Sequence, residues 1–292
     1  MSRNAIERGE RRREKRVESL DSGSTESTHA STLAGEELVL RYSGTEEPVV
    51  DGESLVVPSG EVTALVGPNG SGKSTLLKGL ANQLSPDSGS VLLDGRDVQS
   101  LGTKELAREL GLLSQENVSP ESIGVEELVH HGRYPHRGFF EGVSEEDECA
   151  VRDALSLAGV AHLRDREVSS LSGGQRQLVW IAMVLAQDTD VLLLDEPTTF
   201  LDLHHQLEVM EIVRTLRKER EVTVVLVLHD VEQAARYADH LIALRDGTIH
   251  ARGPPEEVVT EELLAEVFRV EATVEQDAEG PRVTPHGPLH EG

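Results

Sequence analysis

The feature that most constrains this chain is a Gly-rich stretch between a short apolar run and an amphipathic segment. It comprises Gly67, Pro68, Asn69, Gly70, Ser71, Gly72, Lys73 and Ser74. Residues 63–66 before it predict a buried strand, and residues 75–80 after it, starting with Thr75, predict the first turns of a helix. Strand, turn and helix with the spacing G-x-x-x-x-G-K-[ST] predict a phosphate-binding loop. The alternative, an ordinary Gly-rich turn, is disfavoured by the flanking elements.

The residue types of this stretch suit a nucleoside triphosphate. Glycines let successive backbone N–H groups point inward without a Cβ in the way, and the helix N-terminus adds partial positive charge. Lys73 is expected to reach the β- and γ-phosphates, and the Ser74 hydroxyl is expected to ligate Mg²⁺.

Two further motifs carry chemistry. Asp195 ends a predicted strand over residues 190–195, where ligands bind in open α/β sheets, and is expected to hold Mg²⁺. Glu196 follows it and could orient or deprotonate an attacking water; an acidic pair that only caps the strand is the alternative.

Residues 171–175 open a helix predicted over 176–187 and would form a second anion site. We therefore expect a head-to-tail pair, with each nucleotide between one copy's phosphate loop and the other copy's residues 171–175.

The remaining pattern predicts an α/β fold. Strands and a hairpin that indicate an antiparallel region lie at residues 38–42, 54–57 and 88–95. Residues 97–171 have a mainly helical pattern. Val/Leu runs at 190–195 and 222–229, separated by a helix predicted over 203–219, indicate a βαβ unit in a parallel sheet that is buried on both faces.

Composition restricts the partners. The chain has 53 acidic against 28 basic residues and a formal net charge of −25, which argues against nucleic acid as a partner. Because the acids are spread along the whole chain, we expect a halophilic surface, suited to concentrated salt that screens self-repulsion. The single cysteine, Cys149, excludes an intramolecular disulfide and fits a reducing cytosol.

The apolar runs and the two ends of the chain indicate whether it is expected to cross or contact a membrane. No segment approaches the roughly 18 consecutive apolar residues of a spanning helix, so the chain is not expected to cross a membrane by itself. A basic cluster at residues 11–16 lacks the apolar stretch of a secretory signal; we expect a solvated tail, with contact to anionic lipid as the alternative. Residues 1–35 are predicted to be disordered, and residues 271–292 to be a flexible tail.

In this order, the motifs resemble those of the ATP-binding cassette (ABC) family over residues 36–270. The resemblance implies a P-loop NTPase core of the ABC type, with an antiparallel β subdomain and an inserted α-helical subdomain over about 97–171. It also implies ATP and Mg²⁺ as cofactors, ATP hydrolysis as the reaction, and a second copy of the chain as partner in a dimer that sandwiches ATP.

The resemblance assigns roles residue by residue. Tyr42 matches the aromatic residue that stacks on adenine, and residues 67–75 match the phosphate loop. Ser172, Gly173, Gly174 and Gln175 match the signature that contacts the partner's nucleotide, and Asp202 matches the dimer-contact loop. The catalytic positions are Glu196, Lys73, Gln115 and the switch histidine His229. The Mg²⁺ positions are Ser74, Gln115 and Asp195.

A narrower resemblance concerns the cargo. Residues 132–136, 179–183, 198–202 and 233–240 resemble ATPase subunits of ferric siderophore importers, with cobalamin and haem importers close by. This implies membrane permease subunits as partners, an extracytoplasmic substrate-binding protein as an indirect partner, and a peripheral location at the cytoplasmic face of the cell membrane. A soluble ABC-class ATPase that is not coupled to transport is the alternative. A kinase or GTPase is disfavoured, because neither needs the second phosphate site.

Clustered histidines invite a metal-site interpretation; they are His130, His131, His136, His204 and His205. Adjacent histidines on a helix point about 100° apart, so we expect surface or interface packing instead. The segment 117–140 follows Gln115 directly, and we expect it to line the groove that receives a cytoplasmic helix of the permease.

Overall fold

The computed structural model describes residues 31–115, 117, 122–138, 142–277 and 280–290. Its strands there are β1 (Leu33–Leu40), β2 (Val50–Val57), β3 (Val62–Val66), β4 (Ser88–Leu93), β5 (Arg96–Asp97), β6 (Leu110–Leu113), β7 (Val191–Asp195), β8 (Thr223–Val227), β9 (His240–Arg245), β10 (Thr248–Gly253), β11 (Val270–Asp277) and β12 (Gly280–Pro288). Its α-helices there are α1 (Lys73–Leu80), α2 (Thr103–Glu109), α3 (Val125–His131), α4 (Glu145–Leu157), α5 (Gly173–Ala186), α6 (Leu203–Arg220), α7 (Val231–Tyr237), α8 (Pro255–Val258) and α9 (Glu261–Phe268).

A six-stranded sheet with the order β10-β9-β3-β8-β7-β6 forms the centre of the fold. Its strands run parallel except for β10, which pairs antiparallel with β9. Every residue of β3, β7 and β8 is buried, as expected for aliphatic strands that helices cover on both faces. The predicted α/β class with a buried parallel sheet is confirmed.

The two faces of this sheet contact different hydrophobic cores. In β7, Leu192 and Leu194 belong to one buried cluster, which includes the helices α3, α4 and α5. Val191 and Leu193 belong to the other, which includes α1 and the antiparallel strands. Because successive side chains of a strand point to opposite faces, this single run of aliphatic residues joins both layers and fixes the position of Asp195 at its end.

The antiparallel sheet has the order β2-β1-β4-β5, and it begins earlier than the sequence predicted. Leu33 is fully buried at the start of β1. The Thr223 hydroxyl donates to the Ser31 carbonyl at 3.0 Å and accepts the backbone N–H of Gly60 at 2.8 Å. The predicted disordered tail over 1–35 is therefore wrong for residues 31–35, which are held by the strand's own pairing; residues 1–30 lie outside the described residues.

The stretch 97–171, predicted to be mainly helical, contains α2, α3 and α4, but also β6. Leu110–Leu113 pairs in parallel with β7 and so belongs to the central sheet. Four residues, Leu-Gly-Leu-Leu, are too few to show a strand or helix period, which is why the sequence pattern missed this element. The inserted helical region consequently starts after β6 and not at residue 97.

A buried ion pair joins three elements of the helical region. Arg133 and Asp147 are 3% and 4% exposed, and the Arg133 Nε donates to Asp147 Oδ1 at 2.9 Å. The same guanidinium donates through Nη1 to the carbonyl of Ala186, in the last turn of α5. Gly132 approaches α5 so closely that a Cβ there would lie 2.0 Å from the Met183 carbonyl oxygen. The ends of α3 and α5 and the start of α4 are thereby fixed to one another.

The C-terminal segment also differs from its prediction. Instead of a flexible tail over 271–292, β11 and β12 form an antiparallel hairpin. Ala272 is buried, and the backbone N–H of Val283 donates to Glu232 Oε1 on α7 at 2.8 Å. The polar composition concealed these strands, because only a few of their side chains are buried. No helix among the residues described is long and apolar enough to span a bilayer.

Candidate nucleotide-binding site

The Gly-rich loop connects β3 to α1 as predicted, and two of its glycines are required by geometry. Gly67 has a φ of 149°, and a Cβ there would lie 2.1 Å from the Leu244 carbonyl oxygen. Gly72, the residue before α1, has a φ of 99° in the left-handed region. Side chains are disfavoured at both positions, so the loop can bring its backbone N–H groups close to a phosphate.

Lys73 lies inside this loop. Its side chain is buried, and its ammonium donates to the carbonyls of Gly67 and Pro68, both at 2.9 Å. Burial lowers the pKa of Lys73, and the nearby carboxylates of Glu196 and Asp195 partly oppose that effect. A buried cation that backbone carbonyls hold in place can transfer its hydrogen bonds to phosphate oxygens with little rearrangement.

Ser74 and Asp195 meet across 121 residues of chain, with the Ser74 hydroxyl 2.8 Å from Asp195 Oδ1. Asp195 is only 2% exposed, and its Oδ2 has no hydrogen-bond partner. Burial raises the pKa of Asp195 against the lowering effect of the Ser74 hydrogen bond. A hydroxyl and an unpartnered carboxylate oxygen are hard ligands of the kind Mg²⁺ prefers, so the residues present fit this ion.

Glu196 is held by three donors. The Gln115 amide donates to Oε2 at 2.8 Å, and the Thr199 hydroxyl donates to the same oxygen at 3.1 Å. The His229 Nε2 lies 2.7 Å from Oε1. The backbone of Glu196 is left-handed, with a φ of 50°, a conformation that non-glycine residues rarely adopt. Three elements of the chain therefore converge on one carboxylate.

These residues surround a cleft of about 500 Å³. It is lined by Val49, Asn69, Gly70, Ser71, Gly72, Lys73, Ser74, Thr75, Gln115, Glu196, Thr199, Phe200 and His229. The loop, the catalytic candidates and the switch histidine predicted from the sequence are thus in one place. Sequence reasoning missed Val49, Thr199 and Phe200 as cleft residues; the last two lie in the stretch 198–202 that marked the narrower resemblance, whereas Val49 gave no signal.

The other predicted contacts lie outside this cleft. Tyr42 places its hydroxyl 3.4 Å from the Thr75 hydroxyl. Ser172 caps α5 and shares a capping box with Gln175. Asp202 caps α6, and hydrogen bonds from the backbone and the ring of His205 lower the pKa of its carboxyl. Neither Ser172 nor Asp202 lines the chain's own cleft, which is the arrangement expected if a second copy receives them.

The histidines have ordinary structural partners. His136 Nε2 lies 2.7 Å from the Gln187 carbonyl oxygen, and burial lowers the pKa of its ring; His131 stacks on Tyr134 with ring centroids 4.8 Å apart. His130 lies with Glu126 and Glu148, and their ligand atoms are within 4.8 Å of one another. Two arginines already contact this group: Arg164 lies 2.5 Å from Glu126, and Arg137 lies 3.2 Å from His130. We assign no metal to it.

The fold and this site define a P-loop ATPase, in which the Gly-rich loop before α1 lies beside the acidic pair Asp195 and Glu196 at the end of β7. The profile of the ABC transporter family matches residues 50–199. The chain belongs to that family, as an ATP-binding cassette ATPase.

Two relatives and one solved structure give the extent of the similarity within this family. The chain is 48% identical to the ferric enterobactin transport ATP-binding protein FepC of Escherichia coli K12 over 257 residues, 87% of this chain and 94% of that protein. It is 46% identical to the petrobactin import ATP-binding protein FpuD of Bacillus anthracis over 257 residues, 87% of this chain and 93% of that one. The dimeric structure of the bacterial ABC transporter cassette MJ0796 superimposes with a TM-score of 0.68 at 28% identity, covering 76% of this chain and 98% of that chain.

Proposed function

We propose that this chain is the ATP-hydrolysing subunit of an importer that takes up a ferric siderophore, or alternatively cobalamin or haem, through a separate membrane permease. The proposal of ATP hydrolysis rests on the carboxylate of Glu196, which Gln115 and His229 hold at the edge of the phosphate-loop cleft. The cargo half is supported by the relatives, whose names describe enterobactin transport and petrobactin import.

Each predicted site residue has a task in the proposed reaction. The backbone of residues 67–75 and the Lys73 ammonium bind the β- and γ-phosphates of ATP, and Tyr42 stacks on the adenine. Glu196 orients the attacking water and accepts its proton, while Lys73 stabilises the charge that develops on the γ-phosphate. Mg²⁺, when bound by Ser74, Asp195 and Gln115, supplies further positive charge to the phosphate oxygens.

Gln115 and His229 must change partners during this cycle. In the structure both side chains contact the Glu196 carboxylate, whereas their proposed tasks are toward the metal and the γ-phosphate. Binding of ATP would therefore release Glu196 from them and make its oxygens available to water. This exchange ties formation of the general base to the presence of the nucleotide.

The proposed assembly is a head-to-tail pair of chains bound to membrane permease subunits. Ser172, Gly173, Gly174, Gln175 and Asp202 would contact the partner copy's nucleotide, which agrees with their place outside the chain's own cleft. The segment 117–140 would receive the permease; within it, Tyr134 is half-exposed beside α3. We propose a peripheral location at the cytoplasmic face of the cell membrane and an indirect relation to an extracytoplasmic substrate-binding protein. The acidic composition disfavours nucleic acid as a partner.

Uptake of a radioactive ferric siderophore by cells that lack this chain tests the proposal. Loss of uptake, with recovery by the wild-type chain but not by Glu196→Gln, is the expected result. The variant Lys218→Ala, altered at an exposed lysine in the last turn of α6, serves as the matched control and should restore uptake. Undiminished uptake without the chain would overturn the cargo assignment.

Co-purification separates the proposal from the alternative of a soluble ABC ATPase without a transport partner. The tagged full-length chain is expected to bring a polytopic membrane protein out of detergent-solubilised membranes. Recovery only from the membrane-free fraction, with ATPase activity intact, would favour the soluble alternative.

A further inference from the structure

His205 connects two loops that lie far apart in sequence. One loop is the start of α5, where Ser172 and Gly174 carry the predicted signature. The other is the start of α6, where Asp202 is the N-cap. His205 is the third residue of α6, so its ring reaches both loops from a fixed position in the helix.

The ring lies directly over Gly174. A Cβ at residue 174 would come within 2.6 Å of the His205 ring atoms Cγ and Cδ2, so only a bare backbone fits beneath the imidazole. The His205 side chain is 22% exposed, while that of the neighbouring His204 is 78% exposed and lies near Glu208. The two adjacent histidines therefore have different environments, and only the second one packs on the signature.

The same ring also fixes the Asp202 loop. Its Nδ1, carrying the proton, donates to Asp202 Oδ1 at 2.8 Å, and the backbone N–H of His205 donates to the same oxygen at 3.0 Å. The side-chain amide of Gln206 donates through Nε2 to the Leu201 carbonyl at 3.0 Å, which holds the backbone of that loop. The Asp202 loop is thus attached to α6 at three points and, through the ring, to the first turn of α5.

We propose that His205 is a positioning residue that sets the Asp202 loop and the signature at one fixed separation, so that both meet the partner copy's nucleotide together. This inference rests on the proposed head-to-tail dimer. Two loops that were ordered only on contact would each lose conformational entropy at dimerisation. A bridge made within one chain beforehand removes that cost and favours closure around ATP.

The test uses the full-length chain with Glu196→Gln, which is expected to accumulate the ATP-bound dimer. Addition of His205→Ala should weaken the dimer by about tenfold in sedimentation at millimolar ATP, the factor for loss of one hydrogen bond to a charged group. Binding of a fluorescent ATP analogue at protein concentrations below dimerisation should not change. His204→Ala, on the same helix, is the matched control and should dimerise like its parent.

Two further variants separate positioning from a loss of folding. His205→Asn keeps a donor near the Nδ1 position and should recover part of the dimer affinity. In the chain with Glu196 intact, His205→Ala should lower kcat at low protein concentration, with recovery at high concentration and an unchanged KM for ATP. Equal dimerisation of His205→Ala and its parent, or equal weakening by His204→Ala, overturns the inference. Failure of the Glu196→Gln parent itself to dimerise with ATP would instead contradict the proposed dimer.

Discussion

The Nε2 atom of His229 lies 2.7 Å from Oε1 of Glu196, and this pair stands at the edge of the phosphate-loop cleft. The two residues come from the ends of neighbouring strands, β8 and β7, so the parallel sheet itself sets their separation. At this distance the imidazole and the carboxylate are in hydrogen-bond contact, so a ligand that engages either of them changes the environment of the other.

Replacement Glu196→Gln removes the proposed proton acceptor and keeps the side chain's shape. We expect ATP binding and dimerisation to persist, while the rate of phosphate release falls by about 10²- to 10⁴-fold, the usual contribution of a general base. Glu208→Gln, at a partly exposed position on α6, is the matched control and should hydrolyse ATP normally. Normal turnover in the Glu196 variant would remove this residue from the role.

Lys73→Ala should weaken ATP binding by about 100-fold, because the ammonium makes charge-assisted hydrogen bonds worth about 1.5–3 kcal/mol each. Titration calorimetry of the full-length chain with MgATP measures the effect. Lys218→Ala is the control, because that lysine is exposed at the far end of α6. An unchanged dissociation constant in Lys73→Ala contradicts the phosphate-loop assignment.

Asp195→Asn should stabilise the chain measured without ligands. Burial raises the pKa of Asp195, so the folded state binds this proton more tightly than the unfolded state does, and stability falls as the pH rises from the unfolded pKa, about 3.9, through the folded value. Asparagine avoids the buried charge and can keep the Ser74 hydrogen bond. We expect a gain of about 1 kcal/mol in the free energy of unfolding, measured with urea at pH 7, which is the usual size for a single stabilising substitution.

The same variant should lose the stabilisation that MgATP gives to the wild-type chain. Melting curves with and without MgATP, at equal ionic strength, measure this difference. A variant that is less stable than the wild type without ligands, or that MgATP stabilises equally, would contradict the assignment of Asp195.

Arg133→Met should destabilise the fold by about 3–5 kcal/mol at pH 7, since it leaves the buried Asp147 carboxylate without its main partner. The further change Asp147→Asn should recover part of that loss, because it removes the uncompensated charge. Arg152→Met, at an exposed position on α4, is the control. Guanidinium unfolding measures each value, and equal stability of the Arg133 and Arg152 variants would contradict the importance of the pair.

The ion pair also predicts a pH dependence. Burial raises the pKa of Asp147, but hydrogen bonds from Arg133 and Ser144 outweigh it and hold the pKa at about 2. The carboxylate's contribution to stability is thus fully present above its unfolded pKa, about 3.9, and is lost as the pH falls toward 2. Arg133→Met should flatten this part of the stability profile.

A charge of −25 predicts that salt stabilises the chain. The Debye length falls from about 10 Å at 0.1 M to less than about 3 Å at 2 M, so repulsion between surface acids is screened. We expect the melting temperature to rise by about 2–4 °C for each kcal/mol of repulsion removed. Glu271→Gln with Glu275→Gln, both on the exposed face of β11, should reduce the salt effect. No change between 0.1 and 2 M KCl would refute a halophilic surface.

The sequence predicted the elements whose pattern repeats. Strands β3, β7 and β8 are continuous aliphatic runs, and the helix predicted over 203–219 is observed as Leu203–Arg220. The cleft residues were predictable because motif spacing ties Lys73, Glu196 and His229 to the ends of these strands. The predicted contacts across a dimer stay predictions, because one chain contains only half of them.

The elements that the sequence did not predict depend on long-range pairing. Strand β6 has four residues and becomes a strand only beside β7. The hairpin of β11 and β12 is polar, and its contact with Glu232 joins residues 51 positions apart. The contacts of Thr199 and His205 could be predicted only by knowing which loops lie next to each other in the fold. Local periodicity carries none of this information.

Gly132 has an ordinary helical backbone, with a φ of −58°, so its identity is not a matter of conformation. The obstacle is the Met183 carbonyl oxygen, 2.0 Å from where a methyl group would begin. Even the substitution Gly132→Ala would force α3 and α5 apart. The guanidinium of Arg133, the next residue, would then move away from the Asp147 carboxylate. This contact between α3 and α5 thus allows no side chain at residue 132, although the position takes no part in the proposed ATP site.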